Sequence, residues 1–173
     1  MDIQKIALLG AESSGKTTLA QALAQSYETV WVPEYLREFT EEKKRAPIES
    51  EQLHIAQTQV QRELAMEAQA RQYLFCDSSP LMIALYSEHY FKNIGAELSS
   101  LVEQHDYDMY IVTAPDFPWQ ADGIQRDSPA LQKHMHQRLM AYLEEQELPF
   151  LLAEGSVKQR VEQVRFALDF LGA

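Results

Sequence analysis

The sequence predicts an α/β fold, in which a five-stranded parallel sheet lies between two layers of helices as a three-layer α/β/α sandwich. Three observations favour it: five short apolar stretches typical of strands covered on both faces, helical patterns between them, and a glycine-rich motif directly after the first stretch. Right-handed crossovers join strands and helices that alternate in this way. Ligands of such sheets bind beyond the carboxyl ends of the strands.

The predicted strands are rich in aliphatic and aromatic residues. They comprise residues 3–9, 28–32, 73–76, 109–113 and 149–153. The clearest helix lies between the second and third strands, where Ser50 is a candidate cap. Its predicted buried face, from the helical spacing of apolar residues, comprises Leu53, Ala56, Val60, Leu64 and Ala68.

Three later helices begin at recognisable capping residues. Ser79 and Ser128 each precede a proline, a residue that suits the first position of a helix. Ser156 and Gln159 form a capping-box pattern. We therefore expect helices to begin directly after residues 79, 128 and 156.

Length and composition restrict the function classes. The 173 residues suit one compact domain over 1–173, and the net charge of −11 argues against a general nucleic-acid or anionic-membrane binder. A small molecule is therefore the expected partner, and the oligomeric state is not predicted. No apolar run reaches membrane-spanning length. The single cysteine and the lack of a signal-peptide pattern favour the cytoplasm.

Residues 10–17, here called the phosphate loop, read Gly-Ala-Glu-Ser-Ser-Gly-Lys-Thr and fit the pattern G-x-x-x-x-G-K-[ST]. The glycines let backbone N–H groups turn toward phosphate oxygens, and the helix that opens at Lys16 adds its dipole. Lys16 would reach the β- and γ-phosphates, and Thr17 would bind Mg²⁺. The residues predicted to contact ATP here are Gly10, Glu12, Ser13, Ser14, Gly15, Lys16, Thr17 and Thr18. The motif predicts a P-loop NTPase fold that binds ATP and Mg²⁺.

Two carboxylates follow strands that end at the edge of the sheet where the phosphate loop lies. Glu34 comes after the second strand and could take a proton from an acceptor hydroxyl, or it could simply favour the dipole of a helix that begins there. Asp77 closes the third strand, where such folds hold the magnesium shell or a substrate hydroxyl. Either carboxylate could be the base. Tyr35 and Phe39 could line a slot for a flat ring, or they could be plain core.

The segment 116–127 is rich in turn formers and is predicted to be a mobile lid. Arg126 is the candidate to fold over the transferring phosphoryl group, the alternative being a solvated arginine paired with Asp122 or Asp127. Near the last strand, Gly155 and Ser156 are predicted to form a turn beside the adenine. Arg160 is predicted to stack there.

Two function classes remain: a kinase that moves the γ-phosphoryl group of ATP to a small molecule, and a nucleotide switch or regulatory ATP-binding module. A guanine-specific switch normally needs an Asn-Lys-x-Asp stretch, and the sole asparagine, Asn93, precedes an isoleucine. Room for an acceptor between Glu34 and Asp77 favours the kinase.

Four stretches together resemble the ribosylnicotinamide kinase domain of NadR-type proteins. They are the phosphate loop with its Glu-Ser-Ser, residues 33–39 (Pro-Glu-Tyr-Leu-Arg-Glu-Phe), 75–77 (Phe-Cys-Asp) and 119–126 (Trp-Gln-Ala-Asp-Gly-Ile-Gln-Arg). The resemblance spans nearly the whole chain, in the same order.

The resemblance implies an ATP-dependent kinase that phosphorylates the 5′-hydroxyl of nicotinamide riboside (NR) to give nicotinamide mononucleotide. Another nucleoside or small molecule is the alternative acceptor. The residues that it places at the acceptor are Glu34, Tyr35, Arg37, Asp77, Trp119 and Asp122. Lys16, Glu34, Asp77 and Arg126 become the catalytic set, and Thr17 and Asp77 the metal ligands. Pro33 stands where the family carries a tryptophan, so an aromatic wall of the nicotinamide slot would either be missing or come from Trp31, Tyr35 or another residue.

Overall fold

The computed structural model describes residues 2–116 and 128–172, and strands alternate with helices through both ranges. The elements in chain order are β1 (Gln4–Leu9), α1 (Lys16–Ser26), β2 (Trp31–Val32), α2 (Tyr35–Lys43), a short 3₁₀ helix (Glu49–Glu51), α3 (Gln52–Glu67), β3 (Tyr73–Asp77), α4 (Pro80–Phe91), α5 (Ala96–Gln104), β4 (Met109–Thr113), α6 (Pro129–Glu145), β5 (Phe150–Ala153) and α7 (Val157–Leu171).

The five strands form one parallel sheet in the order β2-β3-β1-β4-β5. The first strand of the chain is therefore the central one. Leu8 of β1 pairs with Asp77 of β3 on one side and with Ile111 of β4 on the other. This register places the end of β3 level with the start of the phosphate loop, and it confirms the predicted five-stranded parallel sheet.

Helices cover both faces of the sheet. Because side chains alternate along a strand, Ile6 and Leu8 pack with α1 and α7, whereas Ala7 and Leu9 pack with α4 and α6. A further buried cluster joins α2, α3, α4 and α5. The three-layer prediction is confirmed.

The most apolar helix, α4, is buried through most of its length between the sheet and its neighbours. Burial on all sides explains why this helix is hydrophobic all round. Within residues 2–116 and 128–172, no helix combines the length and the apolar character that a bilayer crossing requires.

Strand β2 is shorter than predicted, because the chain is still turning out of α1 at the residues assigned to its start. Glu28 adopts a left-handed conformation with φ of 51°, and the Thr29 N–H donates to the Ala24 carbonyl. Only Trp31 and Val32 pair with β3. The other four strands lie within one residue of their predicted bounds.

The three later helices begin where predicted, but only two of the three predicted serine caps accept a hydrogen bond. Ser128 and Ser156 accept hydrogen bonds from Leu131 N and Gln159 N, both at 3.2 Å. Ser79 precedes α4 as expected, yet its hydroxyl makes no capping bond. Ser50 is not the cap of its helix, because it lies inside the 3₁₀ helix, where the Glu51 carboxylate accepts from the N–H of residue 48 instead.

The buried face predicted for the helix after Pro47 is correct at Ala56 but wrong at Leu64 and Ala68, which are exposed. The fully buried residues of α3 are Gln52, Ile55, Ala56, Gln59 and Glu63, whereas Leu64 is 60% exposed. Polar side chains can face the interior when they are hydrogen-bonded. Gln59 bonds to the start of α2, and Glu63 accepts from the Tyr107 hydroxyl at 2.6 Å and bonds to the His105 ring at 2.5 Å.

Candidate active site

The phosphate loop links the end of β1 to the start of α1 at the carboxyl edge of the sheet. Ser13 and Gly15 have φ of 60° and 84°, in the left-handed region that lets successive backbone groups turn. A Cβ at Gly10 would lie 2.2 Å from the Thr113 hydroxyl oxygen, so a side chain has no room there. Glycine is therefore favoured at position 15 by the backbone conformation and at position 10 by the lack of room for a side chain.

Distant elements fix the loop backbone. The Ser14 hydroxyl bonds to the Ala11 carbonyl and to the Thr113 hydroxyl, both at 2.7 Å. Gln132 of α6 donates to the Glu12 carbonyl at 2.9 Å, and Arg160 of α7 donates to the Ser14 carbonyl at 2.6 Å. The Ser14 side chain is thus internal scaffolding rather than an exposed phosphate donor, whereas Thr18 is exposed on the first turn of α1.

Lys16 joins the phosphate loop to both predicted carboxylates. Its Nζ donates to Glu34 Oε2 at 2.6 Å and to Asp77 Oδ1 at 2.9 Å. Thr17 donates its hydroxyl proton to Asp77 Oδ2 at 2.6 Å. Two strand ends and the first turn of α1 therefore bring together the four side chains at the centre of the predicted site.

Burial and charge act in opposite directions on Lys16, whose side chain is only 11% exposed. Burial lowers the pKa of the Lys16 ammonium, but the charges of Asp77 and Glu34 outweigh it and raise that pKa well above the ordinary 10.5. Lys16 is therefore always charged at physiological pH. The single positive charge of Lys16 faces two carboxylates, Glu34 and Asp77.

Glu34 does not behave as an ordinary helix-capping residue. It occupies the N-cap position of α2 without a capping bond from its side chain, and its carboxylate reaches Lys16 instead. The side chain of Glu34 is 19% exposed and that of Asp77 only 1% exposed. Of the two carboxylates, Glu34 is the one that solvent, and hence an acceptor, can reach.

Tyr35 and Phe39 have different surroundings on α2. Phe39 is core, packed with Ile55 and Ile83. Tyr35 is partly buried, with its ring edge-on to Phe39 and with the Arg62 guanidinium 4.7 Å from its ring centre. Of the predicted aromatic slot, Tyr35 alone keeps an accessible ring, while Arg37 is exposed on the same helix. Trp31 packs against the core on the α1 side of the sheet.

Gln59 of α3 is a site residue that the sequence did not reveal. Its side chain is 1% exposed, accepts from the Tyr35 N–H at 2.8 Å and donates to the Pro33 carbonyl at 3.4 Å. These contacts hold the backbone on both sides of Glu34. A buried glutamine in an amphipathic helix is the only signal, and it does not identify the partner.

The predicted adenine-side residues lie beside the phosphate loop but in another arrangement. Gly155 adopts φ of 88° in the turn after β5, as a tight turn requires. Arg160 has no exposed surface, and its guanidinium donates to four groups among the described residues. It therefore holds parts of the protein together instead of stacking on a base. Trp119, Asp122 and Arg126 lie outside the described residues, as does the lid segment beyond residue 116.

The oxygen atoms beside Lys16 fit a magnesium ion. Thr17 and Asp77 supply a hydroxyl and a carboxylate that are already in contact, and Mg²⁺ usually takes only one or two protein oxygens beside phosphates and water. No cluster of three His, Cys, Asp or Glu residues suited to a metal occurs in the ranges that the structure describes. Such a sparse donor set suits a metal that arrives with a nucleotide.

Known proteins and solved structures resemble this chain in sequence and in fold. The trifunctional NAD biosynthesis/regulator protein NadR of Escherichia coli (strain K12) is 23% identical over 161 residues, which cover 88% of this chain and 38% of that protein. A crystal structure of NadR protein in complex with NR superposes with a TM-score of 0.84 at 18% identity, covering 99% of this chain and 52% of that one. Thymidylate kinase from Candida albicans gives a TM-score of 0.74 at 13% identity, covering 99% and 93%.

The similarity to NadR confirms the family resemblance, and the chain spans 38% of that curated relative's length. The structural likenesses establish the fold, a P-loop NTPase fold shared with nucleotide kinases. Residues 5–160 match the profile of a family described as an AAA domain, which takes in all of the site residues described above. This chain belongs to that AAA-domain family.

Proposed function

We propose that this protein is an ATP-dependent kinase that phosphorylates the 5′-hydroxyl of nicotinamide riboside to give nicotinamide mononucleotide. The observation that carries the proposal is the placement of Lys16 between Glu34 and Asp77 at the phosphate loop. The similarity to NadR and the NadR structure in complex with NR support this acceptor.

The donor side of the mechanism rests on charge and backbone donors. A bound triphosphate would compete with Glu34 and Asp77 for Lys16, because phosphate oxygens carry more negative charge than one carboxylate. Lys16 and the loop N–H groups would then neutralise charge on the transferring phosphoryl group, which is the main contribution that such proteins make. The bonds to the two carboxylates keep the Lys16 ammonium beside the phosphate loop.

Thr17 and Asp77 are the residues that would hold Mg²⁺, since their oxygen atoms are adjacent. The ion, when bound, supplies further neutralisation of phosphate charge. Asp77 is well suited to this task because it is buried and both of its oxygens already face phosphate-loop residues.

Glu34 is the better candidate for the base. The acceptor oxygen attacks the γ-phosphorus as the bond to the β,γ-bridging oxygen breaks, ADP leaves, and the hydroxyl proton passes to the Glu34 carboxylate. Glu34 is the more accessible carboxylate, and within the described residues its side chain bonds to Lys16 alone, which would turn to the phosphates. Tyr35 and Arg37 follow on α2 and are proposed to face the acceptor.

A substrate panel tests the proposal. Purified protein with ATP and Mg²⁺ is offered nicotinamide riboside, the common ribonucleosides and deoxyribonucleosides, and no acceptor, and both ADP and the phosphorylated product are measured. We expect nicotinamide riboside to give the highest kcat/KM. Phosphorylation of another nucleoside alone would replace the acceptor, and ATP binding without any transfer would identify a regulatory ATP-binding module.

A further inference from the structure

Arg160 of α7 is the largest fully buried side chain in the described part of the molecule. Its Nη1 donates to the Ser14 carbonyl at 2.6 Å, and its Nη2 donates to the Ala114 carbonyl at 2.9 Å and to Asp116 Oδ1 at 2.5 Å. Nε donates to the Gly155 carbonyl at 3.1 Å. One guanidinium therefore bonds to the phosphate loop, the end of β4 and the turn after β5.

The bond to Ser14 bears directly on the groups that bind phosphate. No cis peptide bond occurs among the described residues, so the Ser14–Gly15 peptide is trans. In a trans peptide the carbonyl and the N–H point in opposite directions. Arg160 therefore fixes the direction of the Gly15 N–H, which faces away from the guanidinium and belongs to the segment that cradles phosphate.

Asp116 joins this arrangement to the turn at Gly155, which is predicted to lie beside the adenine. Its Oδ2 accepts from the Gly155 N–H at 2.7 Å, while its Oδ1 accepts from Arg160. Gly155 is thus held through its carbonyl by Arg160 and through its N–H by Asp116. A planar fork of five donors can bond to several carbonyls and a carboxylate at once, which a lysine ammonium cannot do with the same geometry.

We propose that Arg160 is a positioning residue for the nucleotide: it aims the Gly15 N–H at a phosphate oxygen and holds the turn at Gly155 at a fixed distance from the phosphate loop. The inference rests on the proposed function in one respect, that the loop binds ATP. It predicts that the loss of the guanidinium fork weakens the binding of ATP and leaves the binding of the acceptor unchanged.

The test compares Arg160→Lys and Asp116→Asn with the wild type. The control is Arg138→Lys, which alters the ion pair with Glu88 between α6 and α4. That pair includes no residue of the phosphate loop or of the turn at Gly155. ATP affinity is measured by calorimetric titration, and kcat and both KM values are measured wherever phosphoryl transfer occurs. We expect Arg160→Lys to weaken ATP binding about tenfold, as for the loss of a charged hydrogen bond, with the acceptor KM within about twofold of wild type. Arg138→Lys should match the wild type.

Asp116→Asn covers the case in which Arg160→Lys does not fold, because the Asp116 side chain is 39% exposed. It should weaken ATP binding about threefold, since a neutral amide replaces a charged acceptor. A merely structural role would lower stability and kcat and leave the ATP affinity of the folded variants unchanged, and that result would overturn the inference. Because the titration needs no acceptor, the absence of transfer in the wild type would count against the proposed function alone.

Discussion

The phosphate loop and the start of α2 meet at Lys16, yet they are held in different ways. Buried groups from β4, α6 and α7 bond to the loop at Ser14 and at the Glu12 carbonyl. The backbone around Glu34 is held by the amide of Gln59. The phosphate loop is therefore fixed by several bonds from different elements, whereas the start of α2 depends largely on one side chain.

The surface beside the start of α2 carries an exposed ion pair. Arg62 and Glu38, near Tyr35, form an ion pair in which the guanidinium donates to both carboxylate oxygens. Their side chains are 33% and 53% exposed. Such a pair contributes about 0 to 1 kcal/mol because water screens it. Substitutions of these exposed side chains should therefore have little effect on stability, whereas substitutions of the buried groups that bond to the phosphate loop should lower it.

The largest effect is expected for Lys16→Ala. Removal of the ammonium should lower kcat on the order of 10²- to 10³-fold and cost about 3 kcal/mol of stability, because two carboxylates lose a partly buried partner. The raised pKa of Lys16 means that its stabilising contribution is complete below pH 10.5 and is lost as the pH rises through the higher value of the folded state. Urea unfolding at neutral and strongly alkaline pH should show the difference between wild type and variant shrinking. A variant with near-normal turnover would contradict the kinase mechanism.

The next effect separates the two carboxylates. Asp77→Asn and Glu34→Gln should each lower kcat on the order of 10²-fold, but only Asp77→Asn should raise the Mg²⁺ concentration needed for half-maximal rate. The reason is that Asp77 contacts Thr17 whereas Glu34 does not. Steady-state kinetics over a range of Mg²⁺ concentrations provide the measurement. If Glu34→Gln turns over normally, Asp77 becomes the candidate base.

An intermediate effect is expected for Gln59→Leu. Loss of both bonds to the start of α2 should lower kcat/KM for the acceptor about tenfold, with the KM for ATP unchanged. Gln52→Leu on the same helix is a matched control, because within the described residues its buried Nε2 has no hydrogen-bond partner. Equal effects of the two substitutions would show that Gln59 acts through general packing of α3.

The smallest effect is expected for Arg62→Met. The change removes the ion pair with Glu38 and the contact over the Tyr35 ring, yet both are partly exposed. We expect the acceptor KM to change less than about threefold and the stability less than about 1 kcal/mol. A larger change in KM, measured alongside an unchanged melting temperature, would place Arg62 at the acceptor.

The sequence predicted the parts of the site that depend on local pattern or on the strand-end rule. The phosphate loop is a contiguous motif, and Asp77 and Glu34 follow strands whose carboxyl ends meet at one edge. Ser128 and Ser156 cap their helices through residues three positions away. In each case the partners are close in sequence, or the topology alone brings them together.

The parts that the sequence did not predict depend on partners far apart in the chain. Glu63 lies 44 residues from Tyr107, and Arg160 lies 146 residues from Ser14. A buried polar side chain is stable only when a partner satisfies it, and no pattern within one helix identifies that partner. This is why the predicted buried face of α3 was partly wrong and why Arg160 was expected at the ligand.

The strand order has a consequence for how the protein forms during synthesis. The central strand β1 leaves the ribosome before its neighbours β3 and β4, and Arg160, which bonds to the phosphate loop from α7, follows later still. Pairings this distant are slow to form because loop-closure entropy precedes any gain. The phosphate loop is therefore translated before the partners that fix its backbone, and we expect nascent chains that lack α7 to bind ATP more weakly than the whole domain.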